Sequence, residues 1–519
     1  MSGFDSLEEV RKWFPTGTAE GERDVLKKAF IHVNEFQRII SPPQGCPHLL
    51  IGKKGSGKSA IIDFAIQIFS KKNIPALLVK PQDLDTSQLA NADSLGEISR
   101  KSSGIIISAI ASKMAGNLSG LLSGDDSIIY NQAVNSGEKS PDIIGKFTRI
   151  ISKLSKPLID ADLSTVLPEL SKSTRNELQA AIHNKLSRDA KFFYLFIDDT
   201  DQVASPNLPG HLNRIWGLII AVRSLSEQLP ELRAIISLRT EVWERLRTDE
   251  AGQRDQTDHF TNLCIRLNVS NSHIKEIIAR RLELAASKIG CDSNNKFDCF
   301  FEGTHARAPY SEENRYWSDL IVVRSRQRPR DAVQLINALA TRAISQSHKK
   351  INESDFQYVM PTFSNDRVKL ISQEVDKECP AAEAIIRSFA SCTYSFGGFS
   401  MSAEEAKEHI AKIPTMFGVV IYGKTIQPTN NDSTFQLWKF LYQTGILNAR
   451  ISDSSQPDNY RHIDPEADPT LVSLPRWNEM QKMVWEIHPA YRDFLVNLQK
   501  ENQARTGLAL KRPPTKKKR

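Results

Sequence analysis

Gly52-Lys53-Lys54-Gly55-Ser56-Gly57-Lys58-Ser59 fits the pattern of a phosphate-binding loop, G-x-x-x-x-G-K-[ST]. Its surroundings are those such a loop requires. The apolar run Leu49-Leu50-Ile51 before it is short enough for a buried strand, and Ala60 to Phe69 after it places apolar residues at helical spacing. The residue types follow from the chemistry. Glycines let the backbone turn so that successive N–H groups point inward at phosphate oxygens. The helix that follows aims its positive end at the same place. In such a loop Gly52, Lys53, Lys54, Gly55, Ser56 and Gly57 form the cradle. Lys58 would reach the β- and γ-phosphates, and the Ser59 hydroxyl would hold Mg2+.

A second stretch supplies the other half of a metal site. Lys191-Phe192-Phe193-Tyr194-Leu195-Phe196-Ile197 reads as a strand buried on both faces, and it ends in Asp198-Asp199-Thr200-Asp201. In a parallel sheet ligands gather at the carboxyl ends of strands, which brings these acids beside the loop. Asp198 would hold Mg2+ through water, and Asp199 is placed to polarise an attacking water. A long helix over about Leu212 to Leu229 follows, then a strand, Leu232 to Leu238, ending at Arg239-Thr240. Arg239 at that tip is a candidate sensor of the γ-phosphate. Ile74 to Val79 and Asn262 to Leu267 complete the strands. This alternation predicts a three-layer α/β fold with a parallel sheet and right-handed crossovers.

Around this core the expected organisation is as follows. Residues 1–46 form an N-terminal helical segment, with one helix from about Ala19 to Ile40 on Leu26, Phe30, Val33 and Phe36. The core spans 47–270 and contains a Ser-rich helical insertion over 82–188, in which no chemistry is legible. Residues 271–362 form a helical lid. It opens on an amphipathic helix, Ser272 to Lys288, and passes through a polar stretch, Cys291 to Tyr316. Arg328-Pro329-Arg330-Asp331 then starts another helix, with proline in its first turn. Residues 363–497 read as a third domain. Ser402-Ala403-Glu404-Glu405 is a capping box, Phe435, Trp438, Leu441 and Tyr442 line the next helix, and Gly445 closes it. Strand Ile446 to Ile451, a polar loop Ser452 to Pro469 and a returning strand at Trp485-Glu486-Ile487 give the order of a winged helix with the loop as its wing. Residues 498–519 are a basic tail.

Composition narrows the class. The chain has 519 residues, 40% of them apolar and 25% charged, as in a globular protein of two to four domains. Ile215 to Val222 is the longest apolar run and is too short to span a membrane. Met1-Ser2-Gly3-Phe4-Asp5 lacks the features of a secretory signal. The six cysteines are scattered without a C-x-x-C pair, which argues against a zinc site or disulfide framework and for a reducing cytoplasm. The net charge is +7, but the last nine residues carry six positive charges and no acid, so the body is close to neutral.

Gly52–Ser59, the strand ending in Asp198-Asp199, the strand ending in Ser237-Leu238-Arg239-Thr240 and Arg328-Pro329-Arg330-Asp331 ahead of a lid helix resemble the ORC-type AAA+ and STAND/KAP branch of P-loop ATPases. The resemblance covers most of residues 15–497. It implies an AAA+ core, a helical lid and a winged helix, with ATP and Mg2+ as cofactors. It also implies Lys58 on the phosphates, Ser59 and Asp198 on the metal, Asp199 as base, Arg239 as first sensor and Arg330 as second sensor. If the winged helix packs on the core, His488 could add a contact to nucleotide, but the reading favoured for it is a histidine satisfied within the core. Asp199 stands where AAA+ proteins usually carry glutamate, and its shorter reach implies slow hydrolysis. No arginine finger is identified: Arg245 and Arg247 lie where one could be, and either could equally belong to a solvated face.

The implied activity is a nucleotide-gated switch that self-associates or recruits an effector protein. Stand-alone bacterial members of the group are often assigned to defence. An origin-recognition-like DNA-binding ATPase, and a scaffold that binds ATP without hydrolysing it, are the alternatives. For DNA, the winged helix or the tail cluster Lys516-Lys517-Lys518-Arg519 is the candidate contact. Residues 363–497 hold 13 Lys/Arg and 17 Asp/Glu, a poor balance for a surface that must neutralise phosphates. The candidate recognition helix, Ser433 to Thr444, has Lys439 as its single cation.

Overall fold

The computed structural model describes residues 3–80, 94–115, 172–189, 191–200, 211–248, 257–309, 314–391, 399–454, 460–465 and 467–506. Asp201, Cys392, most of the expected 82–188 insertion and the basic cluster at 511–519 lie outside the described residues. The chain divides into two compact units, Thr18–His273 and Met1–Gly17 with Ile274–Arg519. Helix α1 (Gly3–Trp13) therefore belongs with the second unit.

The first unit opens on α2 (Arg23–Ala29) and α3 (Phe36–Ile39). The single helix expected over Ala19–Ile40 is broken between them. Phe30 leaves α2 in an extended conformation, its ring stacks on Phe64 with centroids 4.0 Å apart, and His32 and Phe36 close around the same ring. The chain thus turns to pack these rings together, with Phe36 buried and the others partly exposed, where a continued helix would carry Phe30 away from Phe64. Then come β1 (His48–Ile51), α4 (Lys58–Lys71), β2 (Ala76–Val79), α5 (Leu95–Ala115), α6 (Lys172–Arg188), β3 (Phe193–Ile197), α7 (His211–Gln228), β4 (Leu232–Leu238), α8 (Thr240–Thr248) and β5 (Cys264–Arg266). The strands are all parallel, in the order β2-β3-β4-β1-β5. The α/β fold with a parallel sheet is as the sequence predicts.

Both faces of this sheet are covered, which explains its near-continuous apolar strands. On one face Leu50, Phe196 and Ile235 pack under Ile61, Ile62 and Ala65 of α4. On the other, Leu49, Leu195, Ile197 and Ile236 pack with α5, α6 and α7. Helix α5 is therefore part of the core layer, although the sequence presents it as an insertion. It lies against α7 at Gly217, where a Cβ would stand 2.4 Å from Ile98 Cγ2.

The second unit continues from α9 (Asn271–Ile289), whose first turn contains the boundary. The polar stretch that follows carries structure the sequence did not suggest. Cys291 and Cys299 form a disulfide with Cα atoms 6.2 Å apart, and β6 (His305–Arg307) pairs with β7 (Asn314–Tyr316). The disulfide corrects the expectation drawn from the absence of a C-x-x-C pair. An eight-residue separation is bridged by local folding, which a motif search at short spacing does not detect.

Helices α10 (Trp317–Arg324), α11 (Pro329–Ser345) and α12 (Glu353–Glu374) follow. The boundary expected at 362/363 falls inside α12. That helix packs along the C-terminal α16 (Pro489–Thr506), with Ser364 Oγ donating to Ala490 O at 2.6 Å and accepting from Phe494 N at 3.0 Å. Between them run α13 (Ala382–Ser388), β8 (Ser400–Met401), α14 (Ala403–Met416), the hairpin β9 (Val420–Ile421) and β10 (Lys424–Thr425), α15 (Asn431–Gln443), β11 (Leu447–Ser452), β12 (Tyr460–Ile463) and β13 (Val484–Ile487). Strands β12-β11-β13-β8 form an antiparallel sheet. The capping box at Ser402 is formed in both directions, at 3.2 and 2.7 Å. The polar loop at Ser452–Pro469 contains β12.

Three arginines at alternate positions before α11 are buried. Arg324 pairs with Asp493 at 3.4 Å, Arg326 Nε donates to Asp331 at 2.8 Å, and Arg328 Nη1 bonds both oxygens of Glu374 at 2.8 Å. Arg367 Nη1 reaches the other oxygen of Asp331 at 2.5 Å. These pairs bind α10 and α11 to α12 and α16.

The N-terminal segment is held by α9 and α11. Arg281 donates to Trp13 O (2.9 Å), Asn337 to Phe14 O (2.7 Å), Gln334 to Thr16 O (3.1 Å) and Arg330 to Gly17 O (3.2 Å). Leu7, Val10 and Phe14 are fully buried. Among the described residues no helix is long and apolar enough to cross a membrane.

Candidate functional site

The site forms at the carboxyl ends of β1, β3 and β4. Strand β1 is central, between β4 and β5, which explains why His48–Ile51 are all buried. Gly52 N donates to Leu238 O at 3.2 Å, so the loop begins level with the tip of β4. A Cβ on Gly52 would meet Ser56 Oγ at 2.8 Å, so the loop closes on itself there. Gly55 (φ 80) and Gly57 (φ 101) are left-handed, and Gly57 is the N-cap of α4. Lys58 is the first residue of that helix, and its Nζ donates to Gly52 O (2.6 Å) and Lys53 O (3.0 Å). Ser59 is in the first turn, half-buried, as are Lys53 and Lys54.

Two observations test whether these residues fit a nucleotide and its metal. Ser56 Oγ is buried without a hydrogen-bond partner, and the loop has glycine wherever its backbone closes or turns left-handed. A polar atom of this kind calls for an acceptor or donor from outside the chain. The donor set is a lysine, two hydroxyls and a helix N-terminus, which suits phosphate oxygens. Ser59 and Asp198 offer the hard oxygen ligands that magnesium takes.

Asp198 is 2% exposed. Its N–H bonds Val79 O at 3.1 Å, and its Oδ1 accepts from Ser237 Oγ. One strand, β4, separates β3 from β1, a lateral distance of roughly 10 Å at about 4.8 Å per strand. Asp199 takes a left-handed conformation (φ 55), and its carboxylate, more than a third exposed, lies 3.9 Å from Lys80 Nζ. Arg239 is half-buried just past the tip of β4. The structure thus gathers Gly52–Ser59, Asp198, Asp199 and Arg239 on one edge of one sheet.

Several remaining candidates carry other bonds. Arg330 belongs to the second unit and holds Gly17. Arg247 pairs with Glu244 of its own helix at 3.0 Å. His488 Nδ1 accepts from Ala490 N at 3.1 Å and so caps α16. Sequence reading missed Ser237 and Thr200, whose Oγ1 donates to Ser237 O at 2.6 Å. The sequence offered only a serine inside the apolar run Ala234–Leu238; that it lies level with Asp198 follows from the strand register.

Residues 272–372 match the family described as the FunZ-associated C-terminal helical domain, a stretch running from α9 almost to the end of α12. The chain is 22% identical over 394 residues to the putative transposon gamma-delta 80.3 kDa protein of Escherichia coli strain K12, across 73% of this chain and 54% of that protein. The chain thus spans about half the length of that curated relative. Among solved structures it aligns with the Aeropyrum pernix ORC2 protein in ADPNP–ADP complexes, at 12% identity, 93% of this chain, 94% of that chain and a TM-score of 0.37. It also aligns with Cdc6p from Pyrobaculum aerophilum, at 13% identity, 95% and 98% coverage and a TM-score of 0.34. Scores at that level carry no argument, and the fold rests on the strand order itself.

Proposed function

We propose that this chain is a Mg2+-dependent ATPase that works as a slow, nucleotide-gated switch of the AAA+/STAND type and assembles or recruits a partner in one nucleotide state. The observation that supports it most is the left-handed glycine loop Gly52–Ser59 opening onto α4, with a single strand between its own strand and that of the buried Asp198. In this reading the loop amides cradle the phosphates. Lys58 exchanges its bonds to Gly52 O and Lys53 O for phosphate oxygens. Ser59 and Asp198 hold magnesium, which when bound offsets phosphate charge. Asp199 orients and deprotonates water, and Arg239 senses the γ-phosphate. A sensor role for Arg330 requires its bond to Gly17 to open. The short Asp199 side chain and the absence of an assigned arginine finger favour slow turnover, by about 10³ or more relative to a finger-assisted site.

The test is calorimetric titration with ATP and a phosphate-release assay on wild type and Lys58→Ala. Equal ATP affinity in the two refutes the reading. Particle size with ADP and with a slowly hydrolysed ATP analogue then tests the switch.

A second reading, a DNA-binding ATPase, draws support from two observations. The order α13-β8-α14-α15-β11-β13 follows a winged helix, with β8 pairing β13, and the curated relative is named as a transposon protein. Against it, α15 buries eight of its side chains and exposes Asn431, Asp432, Gln436 and Lys439, a stripe without net charge. Titrating duplex DNA at several salt concentrations, with and without residues 511–519, decides it. Binding that vanishes with the tail excludes the winged helix as reader.

A further inference from the structure

The apolar face beneath α4 ends in two polar side chains. Side chains alternate along a strand, so Asp198 follows Phe196 and Ser237 follows Ile235 onto that face. The register sets them level, because Ile197 pairs with Ile236 one residue earlier on each strand. Both are buried, at 2% and 1% exposure. Ser237 Oγ donates to Asp198 Oδ1, and Thr200 Oγ1 donates to Ser237 O at 2.6 Å, so both links join the tips of β3 and β4.

We propose that Ser237 is a positioning residue that fixes which oxygen of Asp198 is presented to a divalent cation, with Thr200 holding the Ser237 backbone in place. This rests on the nucleotide reading above. An aspartate χ2 torsion is broad and roughly two-fold, so burial alone does not select between the two carboxylate oxygens. A hydroxyl has one proton to give, and here it goes to Oδ1. That bond fills one oxygen with a donor and orients the carboxylate plane, as outer partners of metal ligands do. The hydroxyl also offsets the cost of enclosing a charge in an apolar layer.

The test measures cation requirement separately from nucleotide affinity. Mg2+ is titrated into wild type, Ser237→Ala and Ser237→Thr in the presence of a fluorescent ATP analogue, and Mn2+ binding is followed by electron paramagnetic resonance. S237A is expected to need on the order of 10–100-fold more cation, while its affinity for the analogue in excess EDTA stays at the wild-type value. S237T, which keeps the hydroxyl, is expected to restore the wild-type requirement. A wild-type cation requirement in S237A overturns the proposal, as does equal loss of analogue affinity with and without cation. Should S237A not fold, Ser237→Cys, with similar volume and only a weak donor, carries the same test. If wild type and Lys58→Ala bind the analogue equally, the nucleotide reading itself fails. If only Lys58→Ala is impaired and S237A behaves as wild type, the positioning role alone fails.

Discussion

Replacing Asp331 with alanine removes the acceptor shared by two buried arginines and is expected to destabilise the second unit by about 4 kcal/mol. Asp331 is 1% exposed, and its oxygens take bonds from Arg326 at 2.8 Å and Arg367 at 2.5 Å. Burial alone would raise this carboxyl, yet the charges of Arg326, Arg367 and Arg328 hold it below its ordinary value. Breaking one buried pair by removing a partner costs about 3–5 kcal/mol, because a cation is left enclosed without compensation. The two losses do not simply double. Arg367 keeps Gln334 at 2.9 Å, and Arg326 keeps Glu374 at 4.0 Å. The assay is urea denaturation of the full chain followed by tryptophan fluorescence, with calorimetry to separate the transitions of the two units. Asp331→Asn, which keeps one acceptor, is expected to lose less. A loss below about 1 kcal/mol for D331A would refute the reasoning, since it would mean that water or rearrangement satisfies both guanidinium groups.

Three further outcomes are expected. Gly17→Ala puts a side chain into a left-handed backbone (φ +72) and a Cβ 2.7 Å from Arg330 O, at a cost of about 1–3 kcal/mol, with faster amide exchange in α1 as the readout. Burial, with Lys412 nearby, pushes the His409 imidazole down to about 4, so the unfolded chain binds the proton first. Stability is then complete above pH ~6.5 and falls as pH drops towards ~4, by up to about 1.4 kcal/mol per pH unit; urea midpoints across that window should flatten in His409→Gln. Asp199→Asn should cut phosphate release by ~10²–10⁴ and leave ATP affinity unchanged, and equal loss of both would make Asp199 a binding group.

The central sheet and its loop were legible because their signals are local. A glycine pattern between a short apolar run and a helical repeat, and an apolar strand ending in acids, need no tertiary information. The Ser237–Asp198 bond was hidden because it depends on the register of two strands far apart in sequence. The pairing of Arg324, Arg326 and Arg328 was hidden for a related reason. All three are buried, and the partners Asp493 and Glu374 lie on helices whose packing the sequence does not announce. The break after Ala29 likewise depends on Phe64, from another helix.

The docking of residues 3–17 onto α9 and α11 has a consequence for synthesis. Thr18–His273 is one contiguous stretch and can close its sheet as soon as β5 has left the ribosome. Leu7, Val10 and Phe14 are translated more than 300 residues ahead of Asn337 and Gln334. Until α9 follows, the amphipathic segment has no partner of its own unit, and until α11 follows the cover is incomplete. A chain arrested before α11 would display this apolar stripe, making it the segment on which a chaperone would act during translation.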